Sequence, residues 1–137
     1  RRQRVSVPTC VIVAAGSALG TALARRLAAT GAQLVLTARD ISTIDALTAE
    51  VGGRAVQVDA TRFDDVDRAV AEATGWTGRL DGIVNCAGSI VLKPAHLTSD
   101  ADFTAVLDTN LRTAFAVVRA GAAALFLVMP IIQARLA

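Results

Sequence analysis

Four short stretches of this 137-residue chain carry residue types suited to holding a phosphorylated ligand. The first is Val13-Ala14-Ala15-Gly16-Ser17-Ala18-Leu19-Gly20, small residues at the junction between an apolar run and a helical pattern. Small side chains there let the backbone turn tightly and come close to a pyrophosphate, which then rests on the first amides of the following helix. Gly16 and Gly20 are the glycines of this turn, with Ser17 and Leu19 between them, while Ala14 and Ala18 stand where glycine would be the easier choice. Taken alone, the turn also reads as an ordinary tight strand-to-helix connection.

The second stretch ends the next apolar run, Leu34-Val35-Leu36-Thr37-Ala38-Arg39-Asp40. It falls roughly 20 positions beyond the turn, the separation at which a residue reads an adenosine ribose. A carboxylate at that strand end would accept from both ribose hydroxyls; Ala38 takes its place, and Arg39 follows. A guanidinium beside a missing carboxylate suits a ribose 2′-phosphate by charge and bidentate geometry, so NADP(H) is expected ahead of NAD(H). A solvated arginine at a strand end is the plainer alternative. Asp59-Ala60 and Asn85-Cys86-Ala87-Gly88 close the third and fourth apolar runs. Asp59 can accept from an adenine amino group, and the small residues Ala87 and Gly88 leave room for ribose and a nicotinamide ring.

These residues fall at one edge only if the runs before them are parallel strands. Thr9–Val13, Gln33–Thr37, Ala55–Val58 and Leu80–Asn85 are short, apolar and bounded by Gly, Asp or Pro, which predicts strands. Between them, Leu19–Ala29, Ile41–Val51 and Asp64–Ala73 space apolar residues three and four apart, which predicts helices. Right-handed crossovers through such helices give a Rossmann-type, doubly wound parallel α/β sheet of strand order 3-2-1-4, with most strands buried on both faces. The Ala14–Gly20 turn and Asn85–Gly88 then lie side by side at its carboxyl edge, where open α/β sheets bind ligands. A helix capped by Thr98 or Ser99, with Asp102 in its first turn, and an apolar helical run from about Asp108 to Phe126 follow. Gly52-Gly53 and Gly75 to Gly78 read as helix exits, which puts Trp76 in a turn, and the Asp64, Asp65 and Asp67 group reads as an acidic first turn.

In their order and spacing these segments resemble the short-chain dehydrogenase/reductase family. Its Thr-Gly-x-x-x-Gly-x-Gly turn is matched by Val13 to Gly20 with only the last glycine kept, its Asp after the third strand by Asp59, and its Asn-Asn-Ala-Gly motif by Asn85 to Gly88. Asp108-Thr109-Asn110-Leu111 is similar to the family's Asn-containing helix, which implies that Asn110 is the Asn of an Asn-Ser-Tyr-Lys catalytic tetrad. The resemblance implies a nicotinamide dinucleotide partner and hydride transfer to or from a carbonyl or alcohol. It covers Thr9 to about Leu125, roughly the first half of a usual subunit, so the sheet is expected to stop before the usual later strands. The family's proton-transferring Tyr has no counterpart, since the chain holds no Tyr, and its single lysine, Lys93, precedes Asn110.

Composition narrows the alternatives. The chain is 53% hydrophobic and 19% charged, too apolar for a disordered segment, and its length fits a single domain over residues 1–137. A net charge of +2 and 4% aromatics argue against nucleic acid as a partner. The arginines at positions 1, 2 and 4 read as part of a flexible basic arm, residues 1–8. The apolar segment 120–137 contains Pro130 and is short of the ~20 residues of a membrane span, so it is expected to be buried or to contact another subunit, giving a homo-oligomer through the C-terminal helices. Cys10 and Cys86 are expected to be too far apart to bridge. No metal-ligand spacing and no secretion signal are evident, and a reducing, cytoplasmic setting is expected. His96, the lone histidine, lies in a polar loop without an identifiable carboxylate partner. Three functions stay open: an NADP-dependent oxidoreductase, a cofactor-binding or structural module without catalysis, and an interaction protein presenting its apolar tail.

Overall fold

The computed structural model describes residues 7–126; the arginines at positions 1, 2 and 4, and the apolar run from position 127 onward, lie outside them. Four strands, β1 (Thr9–Val13), β2 (Gln33–Ala38), β3 (Arg54–Gln57) and β4 (Gly82–Asn85), alternate with α1 (Ala18–Ala29), α2 (Asp45–Val51) and α3 (Phe63–Thr77). They form one parallel sheet in the order β3-β2-β1-β4, as the alternation predicts. The register pairs Thr9 with Gln33, Val13 with Asn85 and Ala38 with Gln57, so the motif-bearing strand ends share one edge.

Side-chain alternation along the strands sorts the core into two layers. Val11, Val13 and Val35 face Val66, Ala69, Val70 and Ala73 of α3, together with Ala116, Val117 and Ala120 farther along the chain. Ile12, Leu34 and Leu36 face the opposite way, onto Ala24 of α1 and Ile44 and Leu47 beside and within α2. Only β1 and β2 are buried along most of their length; β4 is half-buried, and β3 exposes Arg54 and Gln57 at its two ends. The expectation of strands buried on both faces thus holds for the central pair, because β3 and β4 are the two edges among the described residues.

Two helical segments differ from their sequence reading. Ile41–Thr43 forms a 3₁₀ turn ahead of α2, its entry held by Asp40, whose Oδ1 accepts from the Ser42 amide at 3.0 Å and its hydroxyl at 2.7 Å. Trp76 lies inside α3 rather than in a turn, and the helix ends at Gly78 with φ 77°. Its ring packs on the core beneath the Arg54 guanidinium, 4.7 Å from the centroid, and Arg54 also reaches Glu72 at 2.7 Å. These contacts hold the chain helical through Gly75, which costs ~1 kcal/mol within a helix.

After β4 a loop with a 3₁₀ turn at Ala95–Leu97 leads to α4 (Asp100–Leu107), which a reciprocal Ser99–Asp102 capping box opens. Asp102 also accepts from Lys93 Nζ at 2.6 Å, and this contact with those from Ser99 holds its carboxyl down at about 2. The helix does not break at Asp108. A π turn over Asp108–Arg112 carries it directly into α5 (Thr113–Phe126). Among the described residues no helix is long and apolar enough to cross a membrane.

Candidate functional site: a cleft at the carboxyl edge of the sheet

The turn after β1 is held by backbone bonds, one of them to β2, and by two hydroxyls. Ala15 N–H donates to Thr37 O at 2.8 Å, Ser17 N–H to Ala14 O at 3.1 Å, and Thr21 Oγ1 to Ala15 O at 3.0 Å. Ser17 caps α1, its Oγ accepting from the Gly20 amide at 3.0 Å. The amides of Ala18 and Leu19 have no protein acceptor among the described residues, so they remain available to an anion at the helix entrance. Gly20 lies against the backbone of Ala14 and Ala15 with no room for a side chain.

Ala14 sits at φ 58°, in the left-handed region, which bears out the reading that glycine would be easier there. Ala18 differs: it is the exposed first residue of α1 in ordinary helical geometry and needs no glycine. A left-handed alanine costs ~1–2 kcal/mol, of which the greater chain entropy of unfolded glycine returns about half. Ala14→Gly is therefore expected to stabilise the fold by ~0.5–1 kcal/mol, seen as a higher urea midpoint at unchanged slope.

Facing this turn, the ends of β2, β3 and β4 complete a cleft of about 380 Å³. Gly16, Ser17, Arg39, Asp59, Ala60, Ala87 and Gly88 all line it. Leu19, Gly20, Asn85 and Asn110 do not. Leu19 is exposed, Gly20 is buried behind the turn, and Asn85 and Asn110 act on the backbone. Asn85 Oδ1 accepts from the Ala87 amide at 3.0 Å, and its Nδ2 donates to Thr113 Oγ1 at 3.1 Å. Asn110, exposed within the π turn, accepts from the Ser89 amide at 3.2 Å and donates to the carbonyls of Ser89 and Val106, each at 2.9 Å. Both asparagines fix the loop that follows β4. A Cβ at Gly88 would lie 3.3 Å from Asn110 Oδ1, a tight contact with the side chain that holds this loop.

Sequence reasoning missed Thr61, Ser89, Thr109 and Thr113 in the lining. The two last reach the cleft through the π turn, a feature with no apolar signature; buried Thr113 meets Asn85 across 28 positions. Thr61 is visible in the sequence as the residue two beyond Asp59, the spacing of a side-chain turn. Asp59 Oδ1 accepts from the Thr61 amide at 3.0 Å and hydroxyl at 2.7 Å. Those bonds, ahead of the Arg39 and Arg62 charges, push its carboxyl below the usual range, so it is an anion and an acceptor at neutral pH. Cys86 lines the cleft as a free, half-buried thiol pushed upward by burial; Cys10 is also free.

With this geometry established, the comparisons with known proteins agree. The sequence model of the short chain dehydrogenase family matches residues 8–128. Human 3-hydroxyacyl-CoA dehydrogenase type-2 is 39% identical over 117 residues, which cover 80% of this chain and 45% of that protein. The structure of 3-ketoacyl-(acyl-carrier-protein) reductase from Brucella melitensis complexed with NADH superposes with a TM-score of 0.76 at 29% identity, covering 82% of this chain and 47% of the other. A metagenomic short-chain oxidoreductase in complex with NADP gives 0.79 at 29% identity, covering 87% and 57%. The chain thus spans about half the length of the relatives it matches. By sequence, sheet order and strand-end motifs, it belongs to the short-chain dehydrogenase/reductase family.

Proposed function

We propose that the cleft binds NADP(H) in preference to NAD(H), and that the chain is the dinucleotide-binding unit of an oxidoreductase acting on a carbonyl or alcohol. One observation carries the cofactor preference. Arg39 is exposed at the end of β2, beside Ala38 rather than a carboxylate, and its guanidinium has no hydrogen bond or ion pair among the described residues. The cleft fits the rest of a dinucleotide. The free amides at the start of α1 would meet the pyrophosphate, Asp59 has its second oxygen available for an adenine amino group beside Ala60, and Ala87 and Gly88 leave the other end open. The bound cofactor would supply the hydride; Asn85 and Asn110 would hold the loop beside it. The two free cysteines are compatible with a reducing, cytoplasmic setting.

Titration of the chain with each nucleotide by fluorescence is expected to show NADPH bound ~10- to 100-fold more tightly than NADH, the range of one charge-assisted contact. Arg39→Ala should remove most of that difference and leave NADH affinity unchanged. Equal affinities before and after substitution would mark Arg39 as a solvated strand-end residue.

The α4–α5 surface supports self-association through these helices. Phe103, Leu107, Leu111 and Phe115 recur every four residues along it, exposed, followed by exposed Val118. An apolar run of this kind on a soluble chain marks a contact surface. Sedimentation is expected to show dimers or larger species that Leu111→Glu with Val118→Glu converts to monomers; a wild-type monomer at high concentration would exclude this.

A further inference from the structure

Beside the cleft, at its Arg39 end, is a second recess of about 310 Å³ lined by Arg39, Gln57, Asp59, Arg62, Asp65 and Arg68. It shares Arg39 and Asp59 with the cleft, so the two spaces meet where the adenosine of a bound dinucleotide would lie. We propose that this recess is an anion subsite for the ribose phosphate monoester, gripped by two guanidinium groups, and that Arg62 is its second specificity-determining residue. The proposal rests on the cofactor reading above.

The charges in the recess divide into a satisfied set and an unsatisfied one. Arg68 is committed, its guanidinium donating to Asp65 at 3.1 Å and to Gln57 O at 2.6 Å. Asp65 is satisfied in turn, since its other oxygen accepts from the Asp59 amide at 2.9 Å. Gln57 Nε2 donates to Arg39 O at 2.9 Å, which fixes the backbone that presents Arg39. Asp59 gives one oxygen to Thr61. What remains is Arg39 and Arg62, exposed and without a side-chain hydrogen bond or ion pair among the described residues, lining one recess with the Asp59 carboxylate. Both line the same recess as Asp59, and both charges add to the lowering of its carboxyl pKa that the Thr61 bonds begin. Two guanidiniums against one carboxylate leave the recess short of negative charge.

A phosphate monoester matches that deficit better than a single carboxylate does. It carries nearly two charges at neutral pH and three acceptor oxygens, enough to meet two forked donors at once. Arg62 precedes α3 as its N-cap but makes no side-chain cap bond, so its side chain contributes nothing to starting the helix and is available to a ligand.

The test is titration of the intact chain with NADPH, NADH, adenosine 2′,5′-bisphosphate and inorganic phosphate, for wild type, Arg39→Ala, Arg62→Ala, Arg62→Lys and the double alanine variant. Arg62→Ala is expected to weaken NADPH and the bisphosphate ~5- to 50-fold while moving NADH less than about twofold, an exposed charge-assisted contact. Arg62→Lys should recover part of the loss, and the double variant should bind NADPH and NADH alike. Lowering the pH through ~6, where a phosphate monoester takes up a proton, should erode the wild-type preference and leave the double variant unaffected. Arg62→Ala binding NADPH as wild type does, while Arg39→Ala loses it, overturns the inference and leaves the cofactor reading standing. Failure of the wild type to distinguish NADPH from NADH overturns both. Inorganic phosphate binding as tightly as the bisphosphate makes the recess a free-anion site and overturns the inference alone.

Discussion

Gly20→Ala is expected to lower the stability of the fold by ~2–4 kcal/mol and to leave a turn that no longer binds dinucleotide. A Cβ at Gly20 would lie 2.6 Å from Ala14 O, 2.8 Å from Ala15 Cα and 3.0 Å from Ala15 C. All three are backbone atoms of the turn itself, so no rotamer change relieves the overlap. The first turn of α1 must lift away from β1, which pulls the Gly20 amide from Ser17 Oγ and Thr21 Oγ1 from Ala15 O. Overpacking of this kind costs ~1–3 kcal/mol, occasionally more, and the lost cap adds ~1, against a total stability of ~5–15 kcal/mol. Gly16→Ala is the control. Its Cβ would meet Ile44 Cγ2 and Thr43 Oγ1 at 3.3 Å, both side-chain atoms that have some freedom to give. Urea unfolding of both variants, with NADPH titration of whichever stays folded, separates them. A Gly20→Ala midpoint equal to that of wild type would show that the turn is looser than its geometry implies.

Given NADPH and a panel of aldehydes and ketones, the 137-residue chain is expected to consume cofactor at a rate ~10²- to 10⁴-fold below that of a complete reductase, the factor that a positioned acid or base contributes. The sequence contains no Tyr, and its one lysine is tied to Asp102 at 2.6 Å. His96 is exposed on the Ala95–Leu97 turn and does not line the cleft. Asn110 spends its amide on the Ser89 and Val106 backbone, and an amide carries no proton between water and substrate. Among cleft-lining groups, Asp59 is held ionised and the Cys86 thiol is pushed up, which makes neither a good proton donor near pH 7. NADPH absorbance followed with purified chain decides the matter. Sustained turnover that disappears in His96→Ala or Cys86→Ala would put that side chain into the chemistry and sink the expectation. Tight NADPH binding with no turnover fits the dinucleotide-binding module.

The central strands and their order were legible because β1 and β2 are nearly pure apolar runs, and a parallel pair separated by one helix has one favoured hand. The cleft residues at strand ends were legible for the same reason: each apolar run names the residue that follows it. What escaped was set by contacts distant in sequence. Trp76 was misplaced because glycines on either side of it read as breakers, whereas packing against Arg54 and the core keeps it helical. Arg62 looks like any surface arginine until β2 and α3 bring it beside Arg39 and Asp59. The π turn that brings Thr109 and Thr113 to the cleft has no spacing signal, because one turn of altered hydrogen bonding leaves the apolar pattern nearly unchanged.

The pairing of β1 with β4 has a consequence for how the site assembles. The adenosine end of the cleft draws on β1, β2 and β3, whose pairings join residues such as Thr9 with Gln33 and Val35 with Arg54. Its other end exists only once Val13 has found Asn85, and its loop is fixed only when the π turn has closed over Ser89. Closing a longer loop costs more chain entropy, and non-local parallel pairing is slow. The end of the site beside Gly88 is therefore expected to cost more chain entropy to assemble than the adenosine end. An opening that detached β4 with α5 would erase the pocket beside Gly88 and leave Arg39, Asp59 and the α1 entrance in place, so a dinucleotide held in the cleft would be expected to come loose at one end before the other.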